Sequence, residues 1–157
     1  MTLQSVRAFF AEKAPDIEIL ELAESTATVA LAAAGHGVEP GQIAKTLCLK
    51  IADKAFLVVT RGDARLDNRK VKEAFGGKAK MPEAAEVEAL TGHPVGGVCP
   101  FGLATPLPVY CDVSLKAFDE VIPAAGSTHS ALRISPTRLA TLTDAIWVDV
   151  MQPAAAP

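Results

Sequence analysis

Lys45 opens an apolar run, KTLCLKI, and in a two-residue alternation it shares a side with Leu47, Leu49 and Ile51 while Thr46, Cys48 and Lys50 face the other way. A lysine on an apolar side is rarely buried without a partner. Its ammonium either reaches a cavity, an anionic ligand or a carboxylate, or it snorkels from the strand mouth into water. A second concentration of chemistry is ALTGHPVGGVCPFGLATPLPVYC, Ala89 to Cys111, which contains no Asp, Glu, Lys or Arg. Gly92, Gly96, Gly97 and Gly102, together with Pro94, Pro100, Pro106 and Pro108, exclude a membrane helix, because they would leave backbone groups unpaired in lipid. The expectation is a mostly buried, irregular loop that feeds a strand and exposes bare backbone groups to a closely approaching substrate, as the floor of a pocket.

Cys99 and His129 are of the types that form a nucleophile and base, but no third orienting residue marks them, and a small buried cysteine is the plainer reading. Ser127, His129 and Ser130 lie in AAGSTHSALRIS, a polar turn that either lines a pocket mouth or bonds its hydroxyls to its own backbone. Arg61, Arg65, Arg69, Lys70, Lys72, Lys78 and Lys80 outnumber Asp63, Asp67 and Glu73 in a chain whose net charge is −3. Such a patch holds nucleic-acid phosphates or is a solvated helix face. With Phe75 alone interleaved, stacking on bases is not supported. The histidines His36, His93 and His129 share no metal-ligand spacing with a cysteine, so neither metal nor cofactor is expected.

These residues must be positioned by one domain: at 157 residues and 50% apolar, the chain buries a core without staples. Cys48, Cys99 and Cys111 show no CxxC spacing, and Met1–Phe10 lacks a long apolar core, which suits reduced thiols, a cytoplasmic protein and no membrane partner. Helices are expected from a Thr2 cap to Ala14, from Ser25 or Thr26 to a stop at Gly35, from an Asp67 cap to Phe75, over Pro82–Leu90 and near Thr137–Leu142. Strands are expected at Ile17–Leu22, KTLCLKI, AFLVVT, LPVYCDV, SALRIS and AIWVDV, with the central hairpin turning at Asp53-Lys54. The class is α+β around a mixed or barrel-like sheet, with a domain over 1–151 and a frayed tail over 152–157.

The ordered set IAKTLCLK, RGDARLDNRKV, GHPVGGVCPFG and AAGSTHSALRISP resembles the YbaK/EbsC family of aminoacyl-tRNA deacylases, relatives of the editing insertion of bacterial prolyl-tRNA synthetases. The resemblance implies a single α+β domain with a central mixed, partly barrel-like sheet flanked by helices. It implies hydrolysis of the ester between a wrong amino acid and a tRNA 3′ end, with tRNA(Pro) carrying alanine, cysteine or serine as the substrate and prolyl-tRNA synthetase as a further partner. A non-catalytic tRNA- or synthetase-binding module of the same fold is the alternative. Lys45 matches the family lysine that holds the 3′ end, and Gly96 and Gly97 match the loop that positions ester and water. Thr46, Cys99, Pro100, Phe101, Gly102, Ser127, His129 and Ser130 then bind substrate, and Arg61, Arg65, Arg69, Lys70 and Lys72 bind tRNA. Val95 precedes Gly96 as in the cysteinyl branch, Cys99 stands where serine is common, and Ala131 replaces an aspartate of that branch.

Overall fold

The computed structural model describes residues 2–153; Met1 and residues 154–157, the end of the expected tail, lie outside them. The helices are α1 (Thr2–Lys13), α2 (Val29–His36), α3 (Asn68–Phe75), α4 (Ala84–Thr91) and α5 (Pro136–Thr143). The strands are β1 (Leu20–Glu21), β2 (Ile43–Ile51), β3 (Lys54–Arg61), β4 (Val109–Asp112), β5 (Ile122–Pro123), β6 (Ser130–Ala131) and β7 (Ile146–Val148). Short 3-10 turns cover Pro40–Gln42 and Val113–Ala117.

The apolar alternation of β2 and the continuous run FLVV of β3 make these two strands the centre of a sheet ordered β5-β2-β3-β4-β7. β2 and β3 pair antiparallel, whereas β5, β4 and β7 each join in parallel, so the sheet is mixed. Ala131 of β6 pairs with Leu20 of β1 and also with Ala124 just beyond β5, which turns a small second sheet over the end of the large one and gives a half-barrel. One face packs Leu57, Val59 and Cys111 against Val6 and Phe10 of α1, Phe101, and Leu139 of α5. The other packs Leu49, Phe56 and Val58 against Val71 and Phe75 of α3. Burial on both faces explains why β3 reads as an unbroken apolar run.

Several local expectations shift. α2 is capped by Thr28, whose side chain accepts from the Leu31 N–H, because the Thr26 hydroxyl and N–H already bond the Thr128 carbonyl. It ends at Gly37 in the left-handed conformation, two residues beyond Gly35. The central turn lies at Ala52-Asp53, with Ala52 at φ 53°, since Ile51 pairs with Lys54. α4 starts at Ala84, after an extended Glu83 at its N-cap, and so two residues later than expected. The strand expected over SALRIS is regular only at Ser130–Ala131, and that expected over Ile17–Leu22 only at Leu20–Glu21. The Val113–Ala117 turn was not foreseen; the buried Asp112 carboxylate builds it, accepting from the N–H groups of Ser114 and Val150. The Asp67 cap on α3 stands as expected, and Gly76 and Gly92, both left-handed, close α3 and α4.

Candidate functional site

The site grows from a gap beside β2. β5 covers the outer edge of β2 at Ile43 and Ala44, and at the other end Lys50 exchanges two backbone hydrogen bonds with Lys80, at 2.8 and 2.9 Å. The next bonded pair outward would join Cys48 to residue 82. That residue is Pro82, which has no N–H to give, and the ladder stops. A cavity of about 390 Å³ opens in the gap, walled by β2 from Ile43 to Cys48, by Thr26–Val29, by Met81 and Pro82, by Val95 and Gly96, and by Ser130 and Ala131. Its walls are mostly apolar, and among the described residues lining it Lys45 is the charged one.

Lys45 is half-buried and donates from Nζ to the Ala64 carbonyl at 2.6 Å. Burial pulls its pKa below the ordinary lysine value; Asp63 opposes that shift and Arg65 adds to it. The side-chain phase is the expected one, since Leu47, Leu49 and Ile51 pack in the α3 cluster while Ala44 and Cys48 join the opposite core. Thr46 lies beside Lys45 on the cavity wall, and its Oγ1 is buried with no partner among the described residues. Such a group bears its full desolvation cost until a ligand or water bonds it.

Gly96, at φ 93°, reaches the cavity with its α-carbon face against Ala27, where a Cβ would sit 2.9 Å from the alanine Cβ. Gly97 lies behind it: its N–H donates to the Pro94 carbonyl and its carbonyl accepts from the Gly126 N–H, so its backbone groups hold the loop to the Ser127 turn. Phe101 anchors the loop in the core, stacked edge-on against Phe10 with centroids 4.7 Å apart. Pro100 is buried as well, and Gly102, at φ 59°, passes close to the Ser5 backbone. Gly97, Cys99, Pro100, Phe101, Gly102, Ser127 and His129 therefore stand outside the cavity lining, whereas Lys45, Thr46, Gly96 and Ser130 meet in it. Ser127 bonds Ser130 hydroxyl to hydroxyl at 2.6 Å, which fixes the Ser130 side of the wall.

Cys99 and His129 do not meet, and the plainer reading of Cys99 as a small buried residue holds. His129 is exposed and bonds Thr128, while Cys99 is fully buried with Sγ 3.6 Å from Nε2 of His93. Sequence reasoning passed over His93, which is fully buried and donates from Nε2 to the Phe101 carbonyl at 2.7 Å; burial lowers its pKa and keeps it neutral. His93 is a strut under the glycine loop. Burial pushes the Cys99 thiol up to about 12, which makes it unreactive at neutral pH. Cys99→Ser is accordingly expected to retain near-parental turnover, and iodoacetamide to leave Cys99 unmodified in the native protein by peptide mass spectrometry. A trapped acyl group on Cys99 would overturn that assignment. The cysteine that does line the cavity is Cys48, whose thiol is also raised by burial and by the Glu86 carboxylate.

The basic cluster is partly neutralised within the fold. Arg61 pairs with Asp63 and lies over the Phe118 ring, Arg69 pairs with Glu73, and Lys70 pairs with Asp149. Arg65 and Lys72 are exposed, with no ion pair among the described residues. Arg65 adjoins the Ala64 carbonyl that holds Lys45, so positive charge does reach the cavity side of the cluster. Thr26–Thr28 and Met81–Pro82 are wall segments the sequence did not reveal; the hydroxyl run before α2 and the proline after Lys80 are their signals. No three His, Cys, Asp or Glu among the described residues are grouped to hold a metal, and no described helix is long and apolar enough to cross a membrane.

Comparison with known proteins places this arrangement. YwhH of Bacillus subtilis is 44% identical over 152 residues, covering 96% of this chain and 97% of that protein. The "Putative Cys-tRNA(Pro)/Cys-tRNA(Cys) deacylase EbsC" of Enterococcus faecalis is 28% identical, with 73% of this chain and 71% of that protein covered. A crystal structure described as "a putative trans-editing enzyme for prolyl tRNA synthetase" superposes with a TM-score of 0.89 at 34% identity, over 97% of this chain and 98% of that one. Residues 23–142 match the aminoacyl-tRNA editing domain, and the chain belongs to that family.

Proposed function

We propose that the protein is a trans-editing hydrolase that deacylates tRNA(Pro) mischarged with a small amino acid, alanine, cysteine or serine. The observation that carries this reading is a half-buried ammonium on the wall of an apolar cavity with no carboxylate in its lining, set in an editing-family fold. Lys45 and Arg65 suit the phosphates at the tRNA 3′ end, and the apolar walls suit a small side chain. The reaction adds a water oxygen to the ester carbon and breaks the bond from that carbon to the ribose oxygen. The vicinal ribose hydroxyl of the substrate relays the proton to the leaving oxygen, so no protein nucleophile is required. Cys48 is held as a neutral thiol, a poor nucleophile.

Proline--tRNA ligase of Desulfovibrio desulfuricans is 30% identical to this chain over 73% of the chain and only 20% of that enzyme, which supports prolyl-tRNA synthetase as a companion in the same task. The direct test is a panel of alanyl-, cysteinyl-, seryl- and prolyl-tRNA(Pro). Release of at least one small amino acid with the prolyl ester spared is expected; an ester yield no better than buffer for all of them would contradict the reading.

The basic cluster governs affinity in this scheme, because phosphate contacts position a nucleic acid without touching the ester. Neutralising Arg69, Lys70 and Lys72 together is expected to raise the tRNA concentration for half-maximal rate and flatten its salt dependence, leaving the saturated rate little changed. Unchanged affinity and salt slope would reduce those side chains to a solvated face held by Glu73 and Asp149.

A further inference from the structure

The alternation of an antiparallel ladder turns the N–H and C=O of successive residues to opposite edges. Lys50 spends its outward pair on Lys80, and Ala44 lies against β5, so the outward pairs between them belong to Cys48 and Thr46. No described residue bonds these four backbone groups, which face the cavity where Pro82 has ended the neighbouring ladder. The unpartnered Thr46 Oγ1 sits on the same wall. Here the fold keeps one short length of open sheet edge inside a pocket instead of pairing or covering it.

An α-aminoacyl group has the donor and acceptor pattern of one strand residue: a nitrogen that donates and a carbonyl that accepts. Its ammonium also needs acceptors in a cavity whose lining has no carboxylate and whose charged residue is a cation. We propose that the free edge at Thr46 and Cys48 reads the aminoacyl group as a strand reads its neighbour, its carbonyls accepting from the α-ammonium and its N–H groups donating to the ester carbonyl. The inference rests on the reading that an aminoacyl ester is the ligand. It makes recognition depend on the α-amino acid backbone and leaves the side chain to the apolar walls. An N–H aimed at the ester carbonyl also stabilises the charge that develops there during attack.

The test uses the full chain, labelled with nitrogen-15, and two stable amide-linked probes: 3′-deoxy-3′-(alanylamino)adenosine and its propionylamino counterpart, which lacks the α-amine. The alanyl probe is expected to slow solvent exchange of the Thr46 and Cys48 amides by about tenfold or more, and the propionyl probe to bind about tenfold more weakly, as loss of a charge-assisted bond implies. Equal binding of the two probes, alanyl binding that leaves both amides unchanged, or no binding at all would each overturn the proposal. The two readings separate cleanly. Protected amides without hydrolysis of any mischarged tRNA would sink the deacylase reading and keep the binding mode; hydrolysis with unprotected amides would do the reverse.

Discussion

Lys45→Ala is expected to leave the fold intact and lower single-turnover deacylation by a factor on the order of 10² or more, the loss that goes with one charge-assisted positioning contact. The fold survives because the ammonium holds only the Ala64 carbonyl and the rest of β2 is secured by its full pairing with β3. The pH profile carries a second signature. Burial lowers the Lys45 pKa, so the charged form required for substrate is lost on an alkaline limb whose midpoint lies below 10.5, and the variant should lack that limb after subtraction of spontaneous ester hydrolysis. The sign for stability is opposite: between the folded and unfolded pKa the unfolded chain binds more protons, so the penalty of the buried ammonium fades as pH rises toward 10.5. A folded Lys45→Ala protein with parental rate and the same limb would remove the lysine from the chemistry.

Gly97→Ala is expected to destabilise the fold and to slow turnover together. A Cβ there would lie 2.7 Å from the Ser127 nitrogen, 2.8 Å from its carbonyl carbon and 2.9 Å from its Cα, all backbone atoms that cannot rotate away. The loop has little room to retreat, since Gly97 is bonded to Pro94 on one side and Gly126 on the other. Overpacking of this kind costs about 1–3 kcal/mol. Displacing the adjacent Gly96 wall by a fraction of an ångström should also cut turnover by roughly tenfold or more, because the reaction depends on near-attack geometry. Thermal melting and single-turnover rates read the two effects separately. A variant unchanged in both would show that the Ser127 turn yields freely and that the loop does not set the geometry.

What the sequence made legible was local. The period of KTLCLKI fixed the side of Lys45, Asp67 and Phe75 bounded α3, and the glycines and prolines between Ala89 and Cys111 marked an irregular loop, buried at Cys99, Pro100 and Phe101 but exposed over 104–106, because each signal lies within a few residues of its consequence. The cavity is instead made by distant encounters: Gly96 against Ala27, Gly97 against Ser127, and a ladder between Lys50 and Lys80 that Pro82 cuts short. None of these leaves a periodic trace. Cys99 met His93 rather than His129 because the loop folds back on itself while the Ser127 turn carries His129 outward. Ala52 adopts a positive φ without the glycine or asparagine that would have announced the turn.

The central claim is that the cavity hydrolyses an aminoacyl ester rather than only holding a 3′ end. The most direct measurement is a single-turnover assay with enzyme in excess over tRNA(Pro) carrying a radiolabelled small amino acid, with retained and released label followed in time. Release of free amino acid far faster than spontaneous hydrolysis, with no label on the protein, is the expected result. Tight binding of the charged tRNA with its ester decaying only at the spontaneous rate would contradict the claim and leave a binding module.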